Sequence, residues 1–347
     1  MKSDLFHHKK VIDEFLQGAN HWLSGFSFVS IFIWSDFFDF RIEMINEQLC
    51  VFAYNQLGCF LYLPPLRKKS TEDGGQRNFV EAKIFLSTVQ ECFQIMEKTN
   101  QGNGISRIEN VDAVNLQLFP REKFAWFNKT YEYFYFKEDL VSLKGNVFKS
   151  KRSSYNHFIK NYSYEFFPFK KEMSPACLRL YEQWLKNRLG KSSDDVYNQM
   201  LYENKDVHTL ALKHYEELGL LGRVVVVDGE IKGYSFGFPL NKDVFCILFE
   251  ITELAIKGLS VYIFREFCAD PQLRNYKFIN AMDDFGMRNI ESVKLSFRPR
   301  VLFSSYVVTQ RLPDDPREAR GVCQAQTVLA LPPSLNSQPG QARTKTG

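Results

Sequence analysis

No stretch of this 347-residue chain is apolar for long enough to cross a membrane. The most apolar window, Trp22–Trp34, is broken by Ser24, Gly25, Ser27 and Ser30 and is followed by Asp36, whereas a span needs roughly 20 apolar residues. The N-terminus, Met1-Lys2-Ser3-Asp4 and then His7-His8-Lys9-Lys10, has no signal-peptide core. Cysteines with useful spacing are lacking too. The seven, Cys50, Cys59, Cys92, Cys177, Cys246, Cys268 and Cys323, form no Cys-x2-Cys, and their number is odd. That excludes a zinc ribbon and a disulfide framework and reads as reduced thiols in a soluble, cytoplasmic protein. His208 and His214 do not have the four-residue spacing of a metal pair on one helix face, and read as surface histidines; no metal is expected. A strong charge of either sign is also missing. At +4 the chain does not announce nucleic acid, and only a local basic cluster could.

Apolar and aromatic residues are plentiful. Hydrophobic residues make up 45% and aromatics 15%, with 33 Phe and 16 Tyr, enough for a sizeable core. The length suits two domains. Lys2–Leu23 has helical spacing. Leu49–Tyr54 and Cys59–Leu63 flank Asn55-Gln56-Leu57-Gly58 as a hairpin ending at Pro64-Pro65. Arg67–Gln76 reads as a surface loop, Phe79–Lys98 as a helix stopped by Asn100–Gly104, and Ser106–Phe119 as a connection containing a strand. Glu122–Asp139 is aromatic-rich, and core packing is the favoured reading over a platform for stacked bases. Met173–Leu189 and Ser193–Glu217 are helix-like. Val301–Thr309 is a last strand. From Pro313 onward the composition cannot bury enough apolar surface to order itself.

The stretch Gly222–Pro299 carries the densest pattern. Arg223–Val227 and Glu230–Phe238 surround Asp228-Gly229, a strong hairpin signal. Val244–Phe249 is a third apolar run and ends in Glu250. Lys257-Gly258 opens a helix-like segment, Leu259–Phe267. Lys277–Asn280 is a fourth run and leads into Asp283-Asp284-x-Gly286; Lys294-Leu295-Ser296-Phe297-Arg298-Pro299 closes the block. Polar groups at strand ends between strands and a helix are how an α/β site is built.

Gly222-x5-Asp228-Gly229, Gly233-Tyr234-Ser235-Phe236-Gly237, Glu250, Lys257-Gly258, Asn280-x3-Asp284-x-Gly286 and Lys294-Leu295-Ser296-Phe297-x-Pro299 together resemble the phosphatidylglycerol lysyltransferase C-terminal domain family. The resemblance extends to Asp139-Leu140-x2-Leu143-Lys144-Gly145-x3-Lys149-x-Lys151-Arg152 and to Phe26–Trp34. It implies an α/β fold of two tandem GNAT-like acyl-N-acyltransferase domains, set here at 1–135 and 136–310, with a disordered tail at 311–347 that has no counterpart in the family. The membrane portion that precedes this domain in the large lysyltransferases is absent from this sequence. Three positions depart from the family pattern: Ile251 stands where a lysine is usual, Phe264 where an asparagine is, and Glu291 where a basic residue is.

The resemblance implies an acyltransferase, expected to pass an aminoacyl group from tRNA to an amine or hydroxyl on a lipid head group or small molecule. A CoA-dependent N-acyltransferase and a non-catalytic scaffold that keeps the fold are the alternatives. No tightly held cofactor is implied; aminoacyl-tRNA or acyl-CoA would be a co-substrate. Glu250 and Asp284 are the candidate catalytic acids. A carboxylate at the end of an apolar strand is open to desolvation and a raised pKa; the other reading of Glu250 is an ion pair with Lys257 or Lys294. Asp284 holds the family's acidic position and could equally cap a helix at Gly286–Val293. Lys257 and Gly258 open a helix where an anion could sit, but the Gly-x-Gly or Gly-x-Ala acetyl-CoA fingerprint is missing. Lys294 would meet a phosphate or a substrate carboxylate, or pair with Asp284. Ser296 would reach an acyl carbonyl, or face solvent from a strand. Lys144, Lys149, Lys151 and Arg152 would grip phosphates of tRNA, CoA or a lipid head group, or form a solvated face.

Overall fold

The structure is a computed structural model, and it describes residues 2–18, 21–68, 79–189 and 195–311. The expected tail lies outside the described residues apart from its first residue, and so does most of the expected loop at Arg67–Gln76. Among the described residues, eleven strands form one mixed sheet. Its first unit is an antiparallel meander of β1 (Asp39–Ile45), β2 (Gln48–Asn55) and β3 (Gly58–Leu61). The chain then crosses over through α3 (Phe79–Asn100) to β4 (Ile108–Asp112), which runs parallel to β3. The second unit repeats the pattern. After β6 (Tyr164–Pro168), strands β7 (Leu221–Val227), β8 (Glu230–Pro239) and β9 (Val244–Thr252) form a meander. The crossover is α8 (Leu259–Cys268), and β10 (Phe278–Asn280) runs parallel to β9.

Two long strands join the units. β5 (Phe124–Phe136) pairs with β10, and β11 (Val301–Gln310) lies between β4 and β5. Central placement explains the aromatic run: Phe124, Tyr133, Phe134 and Tyr135 on β5 are all buried. Trp22 stacks on Phe303 at 5.4 Å and meets Phe134 and Phe278 edge-on.

Local signals account for the elements. Phe85, Val89, Phe93 and Met96 line the buried side of α3 at helical spacing. Asp228 and Gly229, with φ of 51° and 78°, make the two-residue turn that Asp-Gly favours. α6 (Ser174–Arg188) and α7 (Asp195–Lys213) cover one face of the second unit, and α4 (Lys137–Ser142), α5 (Lys149–Asn161) and α8 cover the other. α1 (Lys2–Gly18) and α2 (Phe28–Ile33) precede the first unit in the chain and pack on each other, and α2 meets α7 of the second unit.

Three expectations need correction. β1 was not among the expected strands, although its residues alternate between apolar and charged. Ser296 sits in the last turn of α9 (Arg288–Ser296), not on a strand; a helix there lets Lys294 reach back to the preceding loop. His208 is buried rather than on the surface. It stacks on Phe249 at 3.8 Å, its Nδ1 lies 2.9 Å from the Tyr234 hydroxyl, and burial pulls its pKa down to about 3.

Candidate active site

The parallel strands diverge in both units. β3 and β4 share one residue pair, Leu61↔Ile108. Their gap is stitched by Asn110, whose Nδ2 donates to the Tyr62 carbonyl at 2.9 Å. In the second unit the ladder between β9 and β10 ends at Cys246↔Asn280, while β9 continues to Thr252. The candidate site is built on the two arms of that divergence.

Glu250 stands on the β9 arm, directly opposite Ser235 of β8. Opposed residues in an antiparallel pair present their side chains on one face. For these two it is the α8 face, because a Cβ at Gly233, two residues before Ser235, would touch Ile263 of α8. Glu250 is half-buried as a residue, but its Oε2 is shielded from solvent and has no hydrogen-bond partner. The Ser235 hydroxyl is likewise buried and unpartnered. Native structures rarely leave such groups unpaired. Burial pushes the Glu250 carboxyl up to about 8, with the Lys151 charge pulling the other way. Burial pulls Lys151 down to about 8, opposed by Glu250.

The cation facing Glu250 is therefore Lys151, not Lys257 or Lys294. The two charges influence each other without forming an ion pair within 4 Å; the Lys151 ammonium instead lies 3.8 Å from the centre of the Phe297 ring. Phe297 packs on Phe264, so the departure from asparagine at 264 supplies an aromatic floor for that lysine.

Asp284 occupies the other arm in a different state. The Asn280 Oδ1 accepts from Met282 N at 2.7 Å, and the chain turns through a left-handed Met282 with φ of 57°. Tyr133 OH donates to Asp284 Oδ2, and Gly286 N donates to Oδ1 at 2.8 Å. Both carboxylate oxygens are occupied, so this side chain pins the loop. Lys294 donates to the carbonyls of Ala281, at 2.6 Å, and of Asp283. Burial lowers the Lys294 pKa and raises that of Asp283, and their mutual attraction opposes both shifts.

A further acid, Glu132 on β5, buttresses this arm. It accepts from Ser24 N at 2.8 Å, Ser24 Oγ at 2.7 Å and Asn280 Nδ2 at 2.5 Å. Burial pushes it up to about 7, against the pull of those three donors.

The basic cluster does not act as one surface. Lys144 and Lys149 are exposed, whereas Lys151 turns inward. Arg152 donates to the carbonyls of Leu143 and of Gly145, the latter at 2.7 Å, and holds the left-handed Leu143 that ends α4. Lys257 is exposed. Gly258, with φ of 90°, is pressed against α5: a Cβ there would collide with the Ser154 carbonyl. The space the glycine leaves at the start of α8 is filled by protein backbone. The Ser296 hydroxyl donates to the Val293 carbonyl at 2.5 Å. Lys151 as the partner of Glu250, Ser235, Tyr133 and Glu132 were not singled out by sequence. Ser235 had a signal: in Gly233-x-Ser235-x-Gly237 the alternate positions of one strand face are all small.

Residues 105–309 match the family described as phosphatidylglycerol lysyltransferase, C-terminal. The chain belongs to this family. A conserved protein of unknown function from Bacteroides thetaiotaomicron superposes with a TM-score of 0.74 at 21% identity, over 88% of this chain and 97% of that one. The L-PGS of Bacillus licheniformis superposes with a TM-score of 0.57 at 14% identity, over 89% and 94% of the two chains. FemX superposes with a TM-score of 0.55 at 6% identity, over 86% and 95%. These likenesses are of fold. Comparison with curated proteins finds no match. This family member has a mixed α/β fold and is an acyltransferase by family. Among the described residues no helix is long and apolar enough to cross a membrane.

Proposed function

We propose that this acyltransferase takes its acyl group from an aminoacyl-tRNA and passes it to an amine or hydroxyl acceptor, with Glu250 as the proton acceptor. The observation that carries the proposal is the Oε2 of Glu250, which lacks a partner and has a cation nearby that does not bond to it. A carboxyl with pKa near the working pH is suited to general base catalysis. The acceptor nitrogen or oxygen attacks the ester carbonyl of the aminoacyl group and gives its proton to Glu250. The Lys151 ammonium stabilises the oxyanion of the tetrahedral intermediate. Collapse expels the ribose oxygen, which takes the proton back from Glu250. Ser235, opposite Glu250 on β8, would bond the attacking group.

The lack of the Gly-x-Gly or Gly-x-Ala acetyl-CoA fingerprint at the start of α8 supports this donor over acyl-CoA. The exposed Lys144 and Lys149 would contact tRNA phosphates, and the acceptor is a lipid head group or a small amine.

The test is binding of a charged tRNA pool at two salt concentrations with acetyl-CoA as competitor. Binding should weaken with salt and resist acetyl-CoA. Lys144→Ala/Lys149→Ala should lower the salt slope by about 2, roughly one for each phosphate that is no longer neutralised. Saturable CoA binding with no tRNA binding would replace the reading with a CoA-dependent enzyme.

A further inference from the structure

Among the described residues, each edge of the sheet is a row of backbone groups with no strand beside it, and the two edges differ. At one end β6 is short and closes on Pro168, which cannot donate to a neighbour. At the other end β1 is Asp-Phe-Arg-Ile-Glu-Met-Ile, with no proline, no lysine and no bulge in its pairing to β2. Such an edge is a template for another strand.

The turn fixes which groups are free. Asn46 and Glu47, with φ of 48° and 61°, form a two-residue turn closed by Ile45↔Gln48. The closing pair of such a hairpin exchanges both backbone bonds, and bonded pairs then recur at every second residue. Glu43, Arg41 and Asp39 therefore bond to β2, while Phe40, Ile42 and Met44 aim their N–H and C=O groups outward. Their side chains share one face, and Met44 is 54% exposed. Beside this edge a cavity of about 620 Å³ opens between Ser35, Phe38 and Phe40 and the α1 residues Leu5 and His8.

We infer that this edge binds a second copy of the chain, β1 against β1, about a two-fold axis at Ile42. The strand is complementary to itself in that register. Ile42 meets Ile42 of the partner subunit, and Phe40 meets the partner's Met44. Those pairs fall on the outward-bonding positions, so each exchanges two backbone hydrogen bonds. Arg41 falls opposite the partner's Glu43 at the non-bonded positions, where side chains come closest, and the symmetry makes that ion pair twice. In the single chain Arg41 pairs with Asp39 on its own strand, at 3.1 Å, with both side chains exposed, and its guanidinium lies 4.2 Å from the centre of the Tyr54 ring. The end of the partner's strand would lie beside Phe38 and Phe40, along the mouth of the cavity. Apolar pairs on one face and opposite charges on the other favour a second copy over an unrelated peptide.

Sedimentation velocity on the full chain tests this. The wild type should be a dimer at about 100 μM, where mass action favours association. Ile42→Pro should give a monomer with unchanged circular dichroism, because the lost N–H bonds nothing within the chain. Arg41→Glu should raise the dimer Kd at least about tenfold by placing like charges opposite one another. Adding Glu43→Arg to that variant should restore the dimer. A monomeric wild type, a dimer that survives both single substitutions, or a double variant that stays monomeric would overturn the inference.

Discussion

Glu250→Gln is expected to slow acyl transfer by about 10²–10⁴-fold, the range for loss of a general base, while donor binding changes little. The same substitution should stabilise the fold at alkaline pH. Burial raises Glu250 from its ordinary 4.5 to about 8. A carboxyl whose pKa is higher in the folded state contributes stability that is complete below its unfolded pKa. That contribution is lost as pH rises through the folded value. The wild type should therefore lose stability relative to Glu250→Gln from about pH 4.5 to about pH 8, with roughly 3 kcal/mol of the loss between about pH 6 and pH 8, since one pKa unit is worth about 1.4 kcal/mol. Urea melts of both proteins across that range measure the difference. Curves that stay parallel would mean that Glu250 is not ionising in this window, and the base assignment would fall with them. A loss of activity with an unchanged pH dependence of stability would point to a steric effect of the amide.

Glu132→Leu is expected to cost about 3–5 kcal/mol at neutral pH, because each buried donor left without its acceptor costs about 1–3 kcal/mol. Ser24 N and Ser24 Oγ lose their acceptor, and Asn280 Nδ2 keeps the longer bond to the Trp22 carbonyl, at 3.2 Å. Glu132→Gln should cost less, about 1–3 kcal/mol, because its carbonyl can still accept from Ser24 while its amide faces that of Asn280. The damage should reach the site. Asn280 also holds Met282 N, which begins the turn carrying Asp283 and Asp284. Denaturant unfolding gives the stability, and limited proteolysis of the 281–287 loop gives the local effect. A Glu132→Leu variant as stable as the wild type would show that the bridge from Ser24 through Glu132 to Asn280 is not a joint between the two units.

The legible parts of the fold were those written in local pattern. The α3 stripe, the Asp228-Gly229 turn, the Asn55–Gly58 hairpin and the apolar runs of β7, β8 and β9 each follow from spacing within a few residues. Glu250 was legible as an acid at the end of an apolar strand, and its burial agrees. Its partner was not. Lys151 lies a hundred residues upstream on α5 and meets Glu250 only because α5 packs on α8 at Gly258. Sequence placed Lys151 in a basic cluster; packing separated that cluster into an inward Lys151, a turn-holding Arg152 and the exposed Lys144 and Lys149. Asp284 and Glu250 looked equivalent as acids. What distinguishes them is a tyrosine on another strand, Tyr133, which occupies the Asp284 carboxylate and leaves Glu250 bare. Glu132 was hidden among eight aromatic neighbours in Glu122–Asp139, where the rings dominate the pattern.

The most direct test of the account is the titration of the Glu250 carboxyl by carbon-13 NMR, with glutamate side-chain labelling and the signal assigned by its loss in Glu250→Gln. The account predicts a midpoint near 8, moving higher in Lys151→Met, where the opposing positive charge is removed. A midpoint near the ordinary 4.5, unmoved by Lys151→Met, would contradict it and leave the site without a base.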